Sequence, residues 1–84
     1  MDILEKIKNQ IGNDVFVLII HNCKKCIVTL KLVNFKIGEL HDTLLFKDGS
    51  IYTIWDKDYN EHFGKSIFFT REEAEKSLSK GEKR

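Results

Sequence analysis

His21, Cys23 and Cys26 carry the sharpest chemical signal in the chain, in the run His-Asn-Cys-Lys-Lys-Cys. Cysteines three apart at a chain reversal can both point at one tetrahedral zinc, as in zinc knuckles, with His21, His41 or His62 as a further ligand. Against that reading, the chain has 2 cysteines in all and scattered histidines, and Cys26 fits an inward apolar position on a strand. Redox work asks for a thiol whose pKa is lowered, normally at a helix N-terminus, and here the pair falls between strands. The expectation is two ordinary reduced cysteines, with no metal and no cofactor.

Catalysis by other side chains finds less support. Ser50, Ser66, Ser77 and Ser79 lie in no nucleophile-elbow motif, and neither a P-loop nor a GxGxxG run is present. Asp56, Asp58 and Glu61 cluster in one polar stretch where paired acids can move protons or hold a cation, but the spacing lacks the oxygen-ligand pattern and central glycine of a calcium loop. A solvated acidic loop explains them equally well. A domain this small has little room for a preorganised pocket, so the chain reads as a non-enzyme.

Binding remains. Tyr52, Trp55 and Tyr59 fall near the end of one strand and in the loop after it, beside Asp56, Asp58 and Glu61. Aromatics of this kind anchor protein interfaces because they bury much area with few rotatable bonds. Together these six residues are the candidate protein-binding set. Alternation along a strand puts Tyr52 and Trp55 on opposite faces, so one of them must look outward. A core role for Trp55 and a shielding role for Tyr52 compete with the interface reading. Lys24, Lys25, Lys31 and Lys36 are the candidates for contacting nucleic acid, with Phe35 or Tyr52 stacking on bases. Lysines on a strand edge that discourage aggregation account for the same residues.

Composition bounds these choices. Eighty-four residues make a single small core, and the hydrophobic fraction of 42% with 6 Phe, 2 Tyr and 1 Trp is enough to fold without disulfides. The formal charge of +1 gives no global attraction for a phosphate backbone. The longest apolar run, Val15 to Ile20, falls far short of the roughly 20 residues that a membrane helix needs. Charges in the first twelve residues stand where a signal peptide is apolar. The expectation is a soluble, cytoplasmic chain with no membrane partner.

The elements that position these side chains follow from periodicity. Residues 2–11 form an amphipathic helix through Ile3, Leu4, Ile7 and Ile11, with Asp2 as its cap and Gly12 closing it in the left-handed conformation. Its apolar face can pack on its own domain or on a second copy, and the oligomeric state stays open. Val15 to Ile20, β-branched and aromatic on both sides, predicts a central strand covered on each face. His21 to Lys25 reverses the chain. Cys26 to Ile37 is a long strand whose inward parity changes, so a bend or bulge is required near Leu32. Leu44 to Phe46, Asp48-Gly49 and Ile51 to Trp55 read as a hairpin, with the Asp-Gly pair supplying positive φ. Residues 56–65 form a loop and 66–69 a short strand. A helix over 71–80 opens on a Thr70 and Glu73 capping box, with Ala74 and Leu78 facing a core and 81–84 as a frayed tail. Five short strands with a helix at each end predict a mainly β, α+β domain: a small antiparallel barrel or rolled sheet.

The segment Asp58 to Leu78, DYNEHFGKSIFFTREEAEKSL, resembles the ending of small proteins from phages and mobile elements of low-GC Gram-positive bacteria. In these, a phrase like GKxVFxTREEAEKxL closes an SH3-like β-barrel. The specific positions are Gly64, Lys65, Thr70, Arg71, Glu72, Glu73, Ala74 and Glu75, and the likeness extends more loosely over residues 14–78. The extra N-terminal helix departs from that group. The resemblance implies a five-stranded SH3-like barrel and a mobile-element setting, with no catalytic residues to carry over. It points to a binding module for a host protein, of the accessory or anti-defence (anti-CRISPR-like) kind, with a nucleic-acid-binding barrel and a zinc-stabilised module as rivals.

Overall fold

The computed structural model describes residues 2–82. Its elements run α1 (Ile3–Gln10), β1 (Asp14–His21), β2 (Lys24–Ile37), β3 (His41–Phe46), β4 (Ile51–Trp55), a 3₁₀ turn (Tyr59–Glu61), β5 (Ile67–Phe68) and α2 (Arg71–Glu82). The five strands form one antiparallel sheet in the order β4-β3-β2-β1-β5. The sheet is curled but open. β4 and β5 do not pair with each other, so the expected closed barrel is a half-barrel in which the two-residue β5 is too short to zip the seam.

β2 makes the curl. Its first half pairs with β1, from Lys24 opposite His21 to Lys31 opposite Asp14, and its second half pairs with β3 from Leu32 to Ile37. The register shifts between Leu32 and Asn34, where Val33 is the extra residue. This is the bulge that the change of parity requires: it returns Phe35 to the inner face that Leu30 and Leu32 already line.

The concave side holds the core of Ile7, Val15, Val17, Leu32, Leu44, Phe46, Ile54 and Ile67. α1 caps this core through the fully buried Ile7. On the other side of β1 and β5, α2 packs with Ala74 fully buried, near Phe68. β1 is thus covered on both faces near its start, as its apolar run predicts. Beyond Leu18 it is not. Ile19 and Ile20 are exposed, because the β1–β2 hairpin runs past β5, which pairs with β1 only at Phe16 and Val17.

Several boundaries differ from the sequence reading for local reasons. Asp2 is extended, but its side chain makes no capping bond; α1 ends at Gln10, and its attachment comes from Ile7. The first reversal needs only Asn22 and Cys23, both with left-handed φ (53° and 63°), so β2 starts at Lys24 and not at Cys26. β3 starts three residues earlier than Leu44, at His41, because a buried Asp42 interrupts the apolar pattern while obeying the strand period. The β3–β4 connection is a longer loop over residues 47–50 in which Gly49 alone takes positive φ, 93°. Its Phe46-to-Gly49 turn is followed by Ser50 O accepting from Phe46 N–H at 3.0 Å. The expected tail begins later, since α2 continues through Gly81 to Glu82. Residues 83 and 84 of that tail lie outside the described residues. At the start of α2, Thr70 Oγ1 accepts from Glu73 N–H at 3.2 Å, as the capping box predicts, and Arg71 pairs with Glu75 at 3.1 Å.

Candidate interaction face

The pairing of β2, β3 and β4 sorts their side chains into two faces. Leu32, Phe35, Asp42, Leu44, Phe46, Tyr52 and Ile54 share the inner face. Asn34, Lys36, His41, Thr43, Leu45, Ile51, Thr53 and Trp55 share the outer one. Three cross-strand pairs run across that outer face: His41 with Trp55, Thr43 with Thr53, and Leu45 with Ile51. Neither described α-helix makes a substantial contact with β3 or β4. Trp55 is 62% exposed, and its ring lies on His41 with centroids 4.8 Å apart at 49°. Ile51 is exposed at the other end of the same strand, and Leu40 is exposed in the turn beside His41. The outward aromatic is therefore Trp55. Tyr52 turns inward.

A polar lock beneath this face sets its rigidity. Asp42 is 1% exposed and accepts hydrogen bonds from the Tyr59 hydroxyl, from Lys57 Nζ at 3.0 Å and from the Gly38 N–H at 3.2 Å. A carboxylate so deeply buried is tolerable only when its oxygens are satisfied in this way. Two neighbouring turns deliver the donors. Asp56 and Lys57 both take left-handed φ (56° and 55°), which reverses the chain after Trp55 and sends Lys57 and Tyr59 back over β3. Gly38 closes the β2–β3 turn with its N–H also shared with the His41 carbonyl, so close that a Cβ at Gly38 would stand 2.5 Å from that oxygen. Only glycine fits there. The sequence reading missed Asp42 because nothing in its neighbours marks it as buried; the one available sign was an acid at the inward position of an alternating run.

A second set of internal bonds joins β4 to the segment before β5. Tyr52 OH lies 2.9 Å from His62 Nδ1 and 2.6 Å from Ser66 Oγ, with the His62 ring edge-on to Tyr52. These contacts span the seam that strand pairing leaves open. Tyr59, Phe63 and Phe69 stack in series, with centroids 6.2 Å and 5.2 Å apart. Tyr52 and Tyr59 thus spend their hydroxyls inside the domain.

The remaining candidates separate. Asp56 and Asp58 are exposed in the loop, and Glu61 is held loosely by Lys65 at 3.6 Å, so these acids do not converge. Cys23 is exposed in its turn, Cys26 sits half-buried opposite Ile19, and His21 pairs with Lys24. Among the described residues no three histidine, cysteine or acidic side chains come together as a metal site. Lys25, Lys31 and Lys36 are strung along one side of β2, with Lys24 on the other. Six strand positions place Lys25 and Lys31 about 20 Å apart, so these lysines form no single patch.

Comparison with known proteins yields no match: no family model, no curated protein and no solved structure matches this chain. Among the described residues no helix is long and apolar enough to cross a membrane.

Proposed function

We propose that this chain is a non-catalytic binding module whose outer β2–β3–β4 face docks a protein partner, with Trp55 as the main anchor. The observation that carries the reading is a large aromatic left in solvent at the end of the edge strand β4, on a sheet face against which no described α-helix packs substantially. An exposed tryptophan on a rigid strand offers much apolar area at little entropy cost, and Asp42, Lys57, Tyr59 and Gly38 hold the strand ends beneath it. The half-barrel is read as SH3-like, with a last strand that returns to the first. The resemblance of residues 58–78 to mobile-element proteins supports a cytoplasmic setting. There the module acts as an accessory or anti-defence factor that occludes a host protein, in the manner of an anti-CRISPR inhibitor.

The test is affinity capture from the producing cell and its host with matched baits, wild type and Trp55→Ala. The expected result is a defined partner whose affinity falls by at least about 2 kcal/mol, some thirtyfold, on truncating Trp55, while the melting temperature barely moves. Capture that ignores Trp55, salt-sensitive retention on DNA in its place, or turnover of a small molecule would overturn the proposal.

A further inference from the structure

A second surface lies at the far end of β2. β5 covers only the start of β1: Phe16 and Val17 pair with Phe68 and Ile67, and Leu18 donates its N–H to the Ser66 carbonyl at 2.8 Å. Strand pairing stops there. In the β1–β2 ladder a two-residue turn makes His21 and Lys24 a hydrogen-bonded pair, so Ile19–Cys26 and Val17–Val28 are the next such pairs. Leu18 and Ile20 then direct their backbone groups to the opposite edge, and the bond from Leu18 to Ser66 has that phase. The N–H and C=O of Ile20 consequently face an open edge.

The side chains around this edge are of two kinds. Ile20 is 74% exposed and Ile19 is exposed beside it, and both border a shallow hollow with Leu18, Lys25, Lys65 and Ser66. Both charges lining that hollow are positive. Lys24 adds to them at the tip, and Glu61, the acid bonded to Lys65, belongs to a loose, exposed pair.

We propose that the open edge of β1 at residues 19–21 is a strand-addition site for an extended acidic peptide segment of another protein. Such a segment pairs its backbone with Ile20, sets acidic side chains of one parity on the face that carries Lys25, with Lys65 lining the same hollow, and lays apolar ones of the other parity beside Ile19. Charge selects against a second copy. Antiparallel self-pairing about Ile20 would set two Lys25 side chains on one face of the joined sheet, three strand spacings apart with no acid between them, and lysine near an edge is a common guard against such pairing. The site is independent of the Trp55 face, from which it is separated by the length of β2.

The test uses two short fluorescein-labelled peptides, one alternating valine and glutamate and the other valine and lysine. Anisotropy measures affinity, and amide exchange follows the Ile20 N–H. Ile20→Pro removes the outward donor without touching the β1–β2 ladder, and Lys25→Glu with Lys65→Glu reverses the charge; Trp55→Ala is the control. The acidic peptide is expected to bind, to weaken with salt and to protect the Ile20 amide. Ile20→Pro and the charge reversal should each raise its Kd at least about tenfold, with Trp55→Ala unchanged. Should Ile20→Pro lower the melting temperature substantially, the charge reversal carries the comparison. No binding, equal binding of both peptides, indifference to these variants, or concentration-dependent protection of Ile20 without peptide would each overturn the site.

Discussion

Cys23 illustrates how a residue's type and its place in the fold can point to different chemistry. Its spacing from His21 and Cys26 reads as a ligand pattern, yet its backbone sits at φ 63° in a two-residue turn, a conformation that favours glycine. Cys23→Gly is expected to stabilise the domain by about 1 kcal/mol, seen as a rise in melting temperature. A fall in stability that zinc reverses in the wild type alone would assign the thiol to metal. Asp48 gives a second prediction at this scale. Its carboxylate accepts from the Ser50 hydroxyl at 2.6 Å and from the Ser50 N–H at 2.9 Å, and these bonds, the hydroxyl's first, hold its pKa below the ordinary aspartate value. A depressed folded pKa means that the ionised form is favoured in the turn. Its contribution is present above the ordinary carboxylate pKa and is lost as pH falls through the lower, folded value. In Ser50→Ala the Asp48 midpoint, followed by NMR, should move back upward. Full exposure keeps the effect on global stability small.

At the scale of elements, the periodic signals were legible and the boundaries were less so. The two helices, the long second strand with its bulge and the β3–β4 hairpin all follow from alternation and turn residues. The start of β3 was hidden because Asp42 looks like a loop residue, and the end of α1 because Ile11 continues the apolar pattern after the helix has stopped. α1 is held by what it buries and not by its cap. Ile7→Ala should therefore cost about 2–5 kcal/mol by denaturant titration, whereas Asp2→Ala should be nearly silent. Comparable losses from both would mean that the cap carries the helix.

For the whole molecule, the open seam is the main departure from the sequence reading, and it makes the side-chain locks matter. Asp42 ties β3 to the loop after β4, and Tyr59→Phe leaves its carboxylate with one donor fewer. The expected cost is about 1–3 kcal/mol, or a drop of several degrees in melting temperature. Lys57→Met should cost less, since Lys57 is partly solvated and its attraction is screened. A silent Tyr59→Phe would show that the buried carboxylate is satisfied without it. The chain alone determined that a mainly β domain with a helix at each end would form, that β2 would bend near Leu32, and that Tyr52 and Trp55 would face opposite ways. Those features depend on the period of the backbone and on local turn chemistry. Only the tertiary structure decided which of the two aromatics meets water, that Tyr59 is spent on Asp42, and that β1 outruns β5. Alternation fixes which residues share a face; it is the length and placement of the elements packed against that face that determine whether it is covered.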